Sequence, residues 1–191
     1  MPSLTWGLNF KLASTVLNTS AAKSIPQSKN SSLAIILALI DTRKTIAGLR
    51  QLQKYAVRVG SGFNHRLCLD EMILVKDNHL KIMGNYSGFL RVPKGCKIEI
   101  EAQSLKEFLR SLSFKPDIVM LDNMKIPDIQ KAVEIRNKLK INGSSCLTKL
   151  EASGSIHLGN VKKYAATGVE IISIGELTDS IESVDISLDI A

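Results

Sequence analysis

Five side chains that carry or can accept a positive charge follow short apolar runs of the sequence. They are Arg43, Lys44, His65, Arg66 and Lys76. Arg43 and Lys44 precede an amphipathic segment and are expected at the start of a helix, where the partial positive charge of free backbone N–H groups disfavours cations. Lys76 directly follows the apolar run "EMILV". A solvated basic rim is one interpretation, but uncompensated cations at buried strand ends are costly, so we expect a bound anion among them.

Two carboxylates, Glu101 and Asp122, stand at the ends of neighbouring predicted strands. Mg²⁺ prefers oxygen ligands and often bridges to substrate phosphates, so this pair could hold that ion. Ion pairs with the nearby cations would give the same sequence pattern, and both interpretations stay open at this point. Glu99 alternates with Glu101 and is therefore expected on the same face of its strand.

Small residues follow the last two predicted strands. Ser153, Gly154 and Ser155 lie in "EASGSI", and Ser173 and Gly175 lie in "ISIGEL". Glycine allows the backbone to approach phosphate oxygens closely. Barrel folds frequently bind phosphate at the loops after their last strands, so these segments predict a phosphate site.

The elements that must position these residues form one recurring unit. A short apolar or alternating run ends in a small polar cluster, and a helical pattern follows. Successive strand ends are separated by roughly the length of a βα unit. Strands that alternate with helices indicate a parallel sheet. We predict an α/β fold, a (βα)-repeat barrel that is open or incomplete with about six strands, whose polar strand ends meet at one pocket.

Two of the predicted helices carry sequence patterns that indicate their faces and ends. A helix predicted over 45–60 places Ile46, Leu49, Leu52 and Ala56 near one face, and it ends at Gly60. In the next helical segment, "SLKEFLRSL", the serine and the glutamate three positions later are spaced as a capping box.

Composition limits the classes of partner. The chain has 191 residues, of which 45% are hydrophobic, enough for one domain with a core. Its formal net charge of +7 suits an anionic partner, but charge alone does not distinguish nucleic acid, a phosphorylated metabolite and a membrane surface. Aromatic residues at 5% offer no stacking platform for nucleic acid, and the longest apolar run is too short to span a membrane. Three scattered cysteines favour a reducing compartment, which predicts a cytoplasmic location.

Residues 1–40 contain no aspartate or glutamate and are rich in serine, threonine, asparagine and lysine. A helix followed by a loop is one interpretation, and a targeting segment is the other. We assign 1–40 as this N-terminal segment and 41–191 as the α/β-barrel domain.

The motifs together resemble those of the quinolinate phosphoribosyltransferase family. The matching strings are "DTRKT", "KYAVR", "NHR", "VKDNH", "IEIE", "LDNM", "LEASG" and "YAATGV", in family order. "NHR" and "VKDNH" favour this family over the related molybdenum-transport proteins. The resemblance implies that quinolinate and phosphoribosyl pyrophosphate react to give nicotinate mononucleotide, pyrophosphate and carbon dioxide, a step of NAD biosynthesis.

The resemblance also implies roles for individual residues. The substrate-binding set is Thr42, Arg43, Lys44, His65, Arg66 and Lys76. The catalytic set is Lys44, Lys76, Glu101 and Asp122, of which the two carboxylates would address the ribose hydroxyls and Mg²⁺. The phosphate-binding set is Ala152, Ser153, Gly154, Ser173 and Gly175. Family members are homodimers or higher oligomers, in which an N-terminal domain supplies an arginine to the neighbouring subunit's site.

Two departures from the family pattern bear on activity. Ser155 stands where a second glycine is usual, and Glu176 adds a negative charge beside the expected phosphate site. From the resemblance we expect residues 1–40 to correspond to the family's linker, without its N-terminal domain before "LNF". The alternative to the enzyme is therefore a catalytically impaired barrel that binds a phosphorylated ligand or a full-length partner subunit.

Overall fold

The structure is a computed structural model that describes residues 37–83, 93, 95–141 and 148–180. The N-terminal helix predicted within residues 1–40 and Cys146 lie outside the described residues. Within the described part of the chain, no helix is both long and apolar enough to cross a membrane.

Strands and helices alternate along the described chain, as the recurring unit predicts. In chain order they are β1 (Ala38–Ile40), α1 (Arg50–Val59), β2 (Met72–Val75), α2 (Asp77–Met83), β3 (Lys97–Ala102), α3 (Leu105–Leu112), β4 (Ile118–Asp122), α4 (Ile126–Ile141), β5 (Lys149–Ser153), α5 (Val161–Ala165), β6 (Ile171–Ser173) and α6 (Glu176–Asp179).

The six strands form one parallel sheet in the order β1-β6-β5-β4-β3-β2. Strands β1 and β2 are its two edges, so the ladder is open between them. Phe63 pairs with Ile40 at the β1 edge, and its N–H donates to Leu39 O at 2.9 Å. The predicted open (βα)-repeat barrel is confirmed, and the polar residues after each strand lie at one edge of the sheet because parallel strands share a direction.

The core consists of apolar strand residues packed against the helices. Val119, Leu121, Leu150 and Ile172 are completely buried, and Phe108 of α3 packs among them. Burial of such side chains stabilises the fold by roughly 1.5–3 kcal/mol each relative to exposure. The core therefore holds the sheet that carries the polar strand ends.

Helix α1 corrects two sequence-based predictions. It begins at Arg50, whereas the pattern predicted a start at residue 45. Gly48 adopts a φ of +78°, and Gln53 Oε1 accepts the Ile46 N–H at 2.9 Å, so a turn replaces the first predicted helical turn. Arg43 and Lys44 consequently lie in the loop before the helix, and the argument from an unfavourable helix dipole does not apply to them.

The face of α1 that packs inward is also different from the predicted one. Ile46, Leu49 and Leu52 are 44%, 42% and 51% exposed, while Gln53 and Lys54 are buried. These two long side chains reach inward to polar partners, and Val57 on the same face is 1% exposed and packs in the core. Hydrogen bonds and hydrophobic burial therefore both set the orientation of the helix. Gln53 Nε2, for instance, donates to the backbone oxygen of residue 178 at 2.8 Å.

Helix α3 confirms its predicted start. Ser104 Oγ accepts the Glu107 N–H at 3.3 Å. The Glu107 carboxylate accepts the Gln103 N–H at 2.8 Å. In a standard capping box it would accept the N–H of Ser104, the next residue.

A buried ion pair links α1 to the end of β1. Lys54 Nζ lies 2.7 Å from Asp41 Oδ1, and both side chains are almost fully buried. Asp41 also accepts the Asn64 side-chain amide at 2.6 Å and the His65 N–H at 2.8 Å, and Lys54 Nζ donates to His65 O at 2.9 Å. These bonds fix the segment that carries His65 against the open edge of the sheet.

Replacement of Lys54 by methionine tests the importance of this pair. The change leaves the Asp41 carboxylate buried without its cation, so we expect the free energy of unfolding to fall by about 3 kcal/mol. Urea denaturation measures the loss. Lys81→Ala is the control, because it breaks the exposed Lys81–Asp77 pair and should cost less than about 0.5 kcal/mol. Equal costs for the two variants would contradict the role given to the buried pair.

Candidate active site

A pocket of about 940 Å³ opens at the carboxyl ends of the strands. Its lining includes fourteen residues singled out from the sequence, namely Thr42, Arg43, Lys44, His65, Arg66, Lys76, Glu101, Asp122, Ser153, Gly154, Ser155, Ser173, Gly175 and Glu176. Ala152 does not line it, because its side chain is completely buried in β5. The predicted convergence of polar strand ends is therefore observed, while the individual roles of these residues stay predictions.

Two guanidinium groups carry unmet hydrogen-bonding capacity in the pocket. Nε of Arg43 and Nε of Arg66 are both buried, and neither has a hydrogen-bond partner in the described part of the chain. Burial, and after it the positive charge of Arg43, lowers the pKa of Arg66. Two close cations with unused donors favour an anion between them, since an anion supplies both the charge and the acceptors.

Lys76 and Glu101 form an ion pair at another wall of the pocket. Lys76 Nζ lies 3.1 Å from Glu101 Oε2, with the lysine side chain half exposed and the glutamate 7% exposed. Gln103 Nε2 donates to the other Glu101 oxygen at 3.4 Å. The structure therefore contains the ion pair that was one of the two interpretations of Glu101. Glu101 could bind a metal ion only if an incoming ligand displaced the Lys76 side chain.

Asn123 is a pocket residue that the sequence reasoning missed. It follows Asp122 directly, and its Nδ2 donates to Asp122 Oδ2 at 3.2 Å. Its Oδ1 accepts the Ser155 hydroxyl at 3.2 Å. Its position directly after β4, next to the already selected Asp122, was the sequence signal that could have identified it.

Residues 153–155 and 173–175 form one corner of the pocket, which we call the small-residue corner. Its backbone includes positive φ angles of the kind that favour glycine. Gly154 has a φ of +91°, and a Cβ there would overlap the Asn123 side chain. Ser155 also has a positive φ of 53°, although it stands where the family has glycine. Across the corner, a Cβ on Gly175 would lie 2.7 Å from Asp179 Oδ2. The Asn123 side chain fills the space beside Gly154, and the Asp179 carboxylate lies beside Gly175. Glu176 and Asp179 both line the pocket, and their negative charges oppose a phosphate there.

A buried cluster of His65, Glu99 and Glu151 lies beneath the pocket. His65 Nε2 is 3.1 Å from Glu99 Oε2, and both carboxylates are completely buried. Burial, and after it the negative charge of Glu99, raises the pKa of Glu151 well above its ordinary value, against a smaller opposing effect of the Ser173 hydroxyl. The raised pKa favours the protonated form of Glu151 in the folded protein. The sequence reasoning placed Glu99 on this face of β3 but did not single out Glu151.

The chain matches a family model described as "Quinolinate phosphoribosyl transferase, C-terminal domain" over residues 19–189. It is 42% identical to a probable nicotinate-nucleotide pyrophosphorylase (carboxylating) of Methanocaldococcus jannaschii, over 78% of this chain and 54% of that protein. It is also 42% identical to the nicotinate-nucleotide pyrophosphorylase (carboxylating) of Mycobacterium leprae, over 78% of this chain and 52% of that one.

A solved structure shares the fold. The nicotinate-nucleotide pyrophosphorylase of Francisella tularensis superposes with a TM-score of 0.77 and 33% sequence identity, over 95% of this chain and 59% of that one. The chain thus spans about half the length of the two relatives it matches in sequence.

Replacement of Glu151 by glutamine tests the protonated state of that residue. A raised folded-state pKa means that the stabilising effect of the proton is complete below the ordinary pKa of 4.5 and is lost as the pH rises through the folded-state pKa. Glutamine does not titrate, so Glu151→Gln should gain thermal stability relative to the original chain as the pH rises above 4.5. Thermal unfolding across this pH range measures the difference, with Glu134→Gln at an exposed position of α4 as the control. A pH-independent difference would contradict a proton on Glu151.

Proposed function

The chain belongs to the quinolinate phosphoribosyl transferase family, and from this we propose that it takes part in phosphoribosyl transfer to quinolinate. Quinolinate and phosphoribosyl pyrophosphate would give nicotinate mononucleotide, pyrophosphate and carbon dioxide. The observation that carries the proposal is the pair of buried, unpartnered Nε donors of Arg43 and Arg66 in a pocket that also contains two lysines.

The adjacent carboxylates of quinolinate suit these guanidinium groups. A guanidinium presents several N–H donors in one plane and pairs with a carboxylate through two of them. The dianion would also relieve the repulsion between Arg43 and Arg66 that contributes to the lowered Arg66 pKa. Lys76 would supply a third positive charge once it turns from Glu101 towards the substrate.

The opposite side of the pocket suits the phosphoribosyl donor. Lys44 and the backbone N–H groups around Ser153, Gly154 and Gly175 line the pocket and would contact phosphate oxygens. Glu101 and Asp122 would address the ribose hydroxyls.

The same two carboxylates fit a magnesium ion. Mg²⁺ is commonly held by one or two carboxylates together with substrate phosphates, and both side chains line the pocket. Bound there, the ion would neutralise charge on the pyrophosphate leaving group. Glu101 would have to exchange its contact with Lys76 for this role.

The proposed reaction needs positioning and electrostatics more than covalent chemistry. The pyridine nitrogen attacks the anomeric carbon, and the bond from that carbon to the pyrophosphate oxygen breaks. Held reactants and fixed charges lower the barrier for such a charge-separated step. The ribosylated ring nitrogen is then cationic and stabilises the electron pair that stays on the adjacent ring carbon when its carboxylate leaves as carbon dioxide. That carbon then takes up a proton.

Two properties of the whole assembly belong to the same proposal. The active form would be a homodimer or a higher oligomer, as in the family that the sequence resembles. The cytoplasm would be its location, because the scattered cysteines suit a reducing compartment. Nucleic acid and membranes are not proposed as partners.

A second candidate is a barrel that binds a phosphorylated ligand or a full-length partner subunit without turnover. The observation that favours it is the negative charge of Glu176 and Asp179 at the small-residue corner. Steady-state assays with quinolinate and phosphoribosyl pyrophosphate separate the two, since only the enzyme releases pyrophosphate.

Removal of the Arg43 guanidinium tests the carboxylate site. Arg43→Ala should weaken quinolinate binding by about 10- to 100-fold, because a charge-assisted pair with a substrate carboxylate is lost. Isothermal titration calorimetry with the 191-residue chain measures the change. Arg110→Ala, at an exposed position of α3, is the matched control and should leave the affinity unchanged. Binding by the folded chain that is equally strong in both variants would reject this assignment of the pocket.

Neutralisation of Glu176 tests the phosphate corner. Glu176→Gln should strengthen binding of phosphoribosyl pyrophosphate by about two- to fivefold, since a like charge near the pocket surface is removed. The affinity is measured at low ionic strength, where the effect is largest, and Glu134→Gln on α4 controls for the change in net charge. An unchanged affinity would show that the phosphates bind elsewhere.

A further inference from the structure

Two buried polar side chains that the proposed reaction does not use lie where α1 meets α6. Gln53 of α1 is 1% exposed, and Thr178 of α6 is completely buried. The two helices contact each other, although they stand near opposite ends of the described chain. Buried polar groups are costly unless they are hydrogen-bonded, so the partners of these two side chains show what they hold together.

The amide of Gln53 joins the loop before α1 to the last turn of α6. Its Oε1 accepts the Ile46 N–H at 2.9 Å, and its Nε2 donates to Thr178 O at 2.8 Å. A backbone N–H can only donate and a backbone oxygen can only accept, so these partners fix which side of the amide carries the oxygen. One side chain therefore links two segments that are distant in the sequence.

The hydroxyl of Thr178 makes a second connection between the same segments. Its Oγ1 lies 2.7 Å from Lys44 O and 3.3 Å from Gly175 O. A hydroxyl has one hydrogen, and the shorter contact assigns that hydrogen to Lys44. The Thr178 N–H donates to Gly175 O at 2.9 Å. A single residue thus bonds to the backbone of both Lys44 and Gly175.

We propose that Gln53 and Thr178 are positioning residues for the phosphoribosyl donor, because they set the distance between Lys44 and the small-residue corner. Lys44 and Gly175 both line the pocket. A donor that contacts both needs them at one spacing, and a misplacement of about 1 Å can cost on the order of 100-fold in rate. This inference rests on the proposed function for the identity of the donor, and the connection itself can be tested without a ligand.

The backbone of Arg43 has a separate anchor. Arg50 Nε donates to Thr45 Oγ1 at 3.1 Å, and Arg50 Nη2 donates to Arg43 O at 3.4 Å. These bonds remain when the Thr178 hydroxyl is removed. Loss of that hydroxyl should therefore weaken binding of the donor and leave quinolinate binding close to its original strength.

Replacement of Thr178 by valine removes the hydroxyl and keeps a branched side chain of similar size. We expect the affinity for phosphoribosyl pyrophosphate to fall about five- to tenfold, the effect of one lost hydrogen bond, while the affinity for quinolinate stays within about twofold. Thr178→Ser keeps the hydroxyl and should hold the donor affinity within about twofold of the original. Isothermal titration calorimetry measures both ligands. Equal weakening of the two ligands, or the same loss in Thr178→Ser, would overturn the proposal.

Thr148→Val is the matched control for a purely structural effect. Thr148 is 3% exposed, and its Oγ1 donates to Pro116 O at 2.7 Å. It directly precedes β5, at the end of the sheet away from the pocket. This variant loses an equivalent buried bond, so its thermal stability should fall as in Thr178→Val while its donor affinity stays unchanged. Equal donor affinities in the two valine variants would contradict positioning by Thr178.

Gln53→Met tests whether the two side chains act together. Methionine has a similar length, but its thioether cannot replace the amide donor. The donor affinity should fall by about the same factor as in Thr178→Val. Because both residues belong to one network, the double variant should lose less than the product of the two single effects. A loss equal to that product would show independent action and reject the joint role.

Hydrogen exchange tests the connection without any ligand. The Ile46 N–H is protected by its bond to Gln53 Oε1. If the Thr178 hydroxyl holds this loop, Thr178→Val should speed exchange of that amide about fivefold or more, because the loop opens more often. Exchange should stay within about twofold in Thr178→Ser and Thr148→Val.

Unchanged Ile46 exchange in Thr178→Val would overturn the proposal whichever ligands bind. Faster exchange in that variant, in a chain whose original form does not bind phosphoribosyl pyrophosphate, would retain the connection between the loop and α6 and reject only the proposed donor.

Discussion

The buried carboxylate of Asp41 is the constraint on which the pocket depends. It directly follows edge strand β1, where Phe63 pairs with Ile40 and accepts the Asp41 N–H at 3.1 Å. Lys54, Asn64 and the His65 N–H satisfy its oxygens. Loss of any of these partners would leave the buried charge unsatisfied, which is energetically costly. Helix α1 and the segment before β2 are therefore held in one relative position.

The position of this segment determines the chemistry available at the pocket. Asp41 holds the backbone of His65, and the His65 ring holds the backbone of Arg66. The Arg66 guanidinium then faces Arg43 with an unused buried donor on each. Repulsion between these two cations would be relieved by a bound anion, so the pair favours an anionic ligand in the pocket.

The sequence allowed the general placement of the site to be predicted but not its internal contacts. The residues after each strand, such as Lys76 and Asp122, were found because parallel strands place their ends at one edge. The pairing of Lys76 with Glu101 and the role of Asn123 were not, because they depend on which neighbouring side chains reach one another. The orientation of α1 was predicted wrongly, since the apolar pattern of Ile46 and Leu49 concealed two inward-facing polar side chains.

The sequence by itself determined the alternating strand and helix order, the parallel open barrel and the family, since hydrophobic periodicity and motif spacing are local properties of the chain. Only the tertiary structure decided that Glu151 is buried beside Glu99, that Gln53 bonds to both the loop before α1 and the end of α6, and that Lys54 is an internal residue. Burial and the approach of charges depend on elements far apart in the chain, and local patterns do not encode these distances.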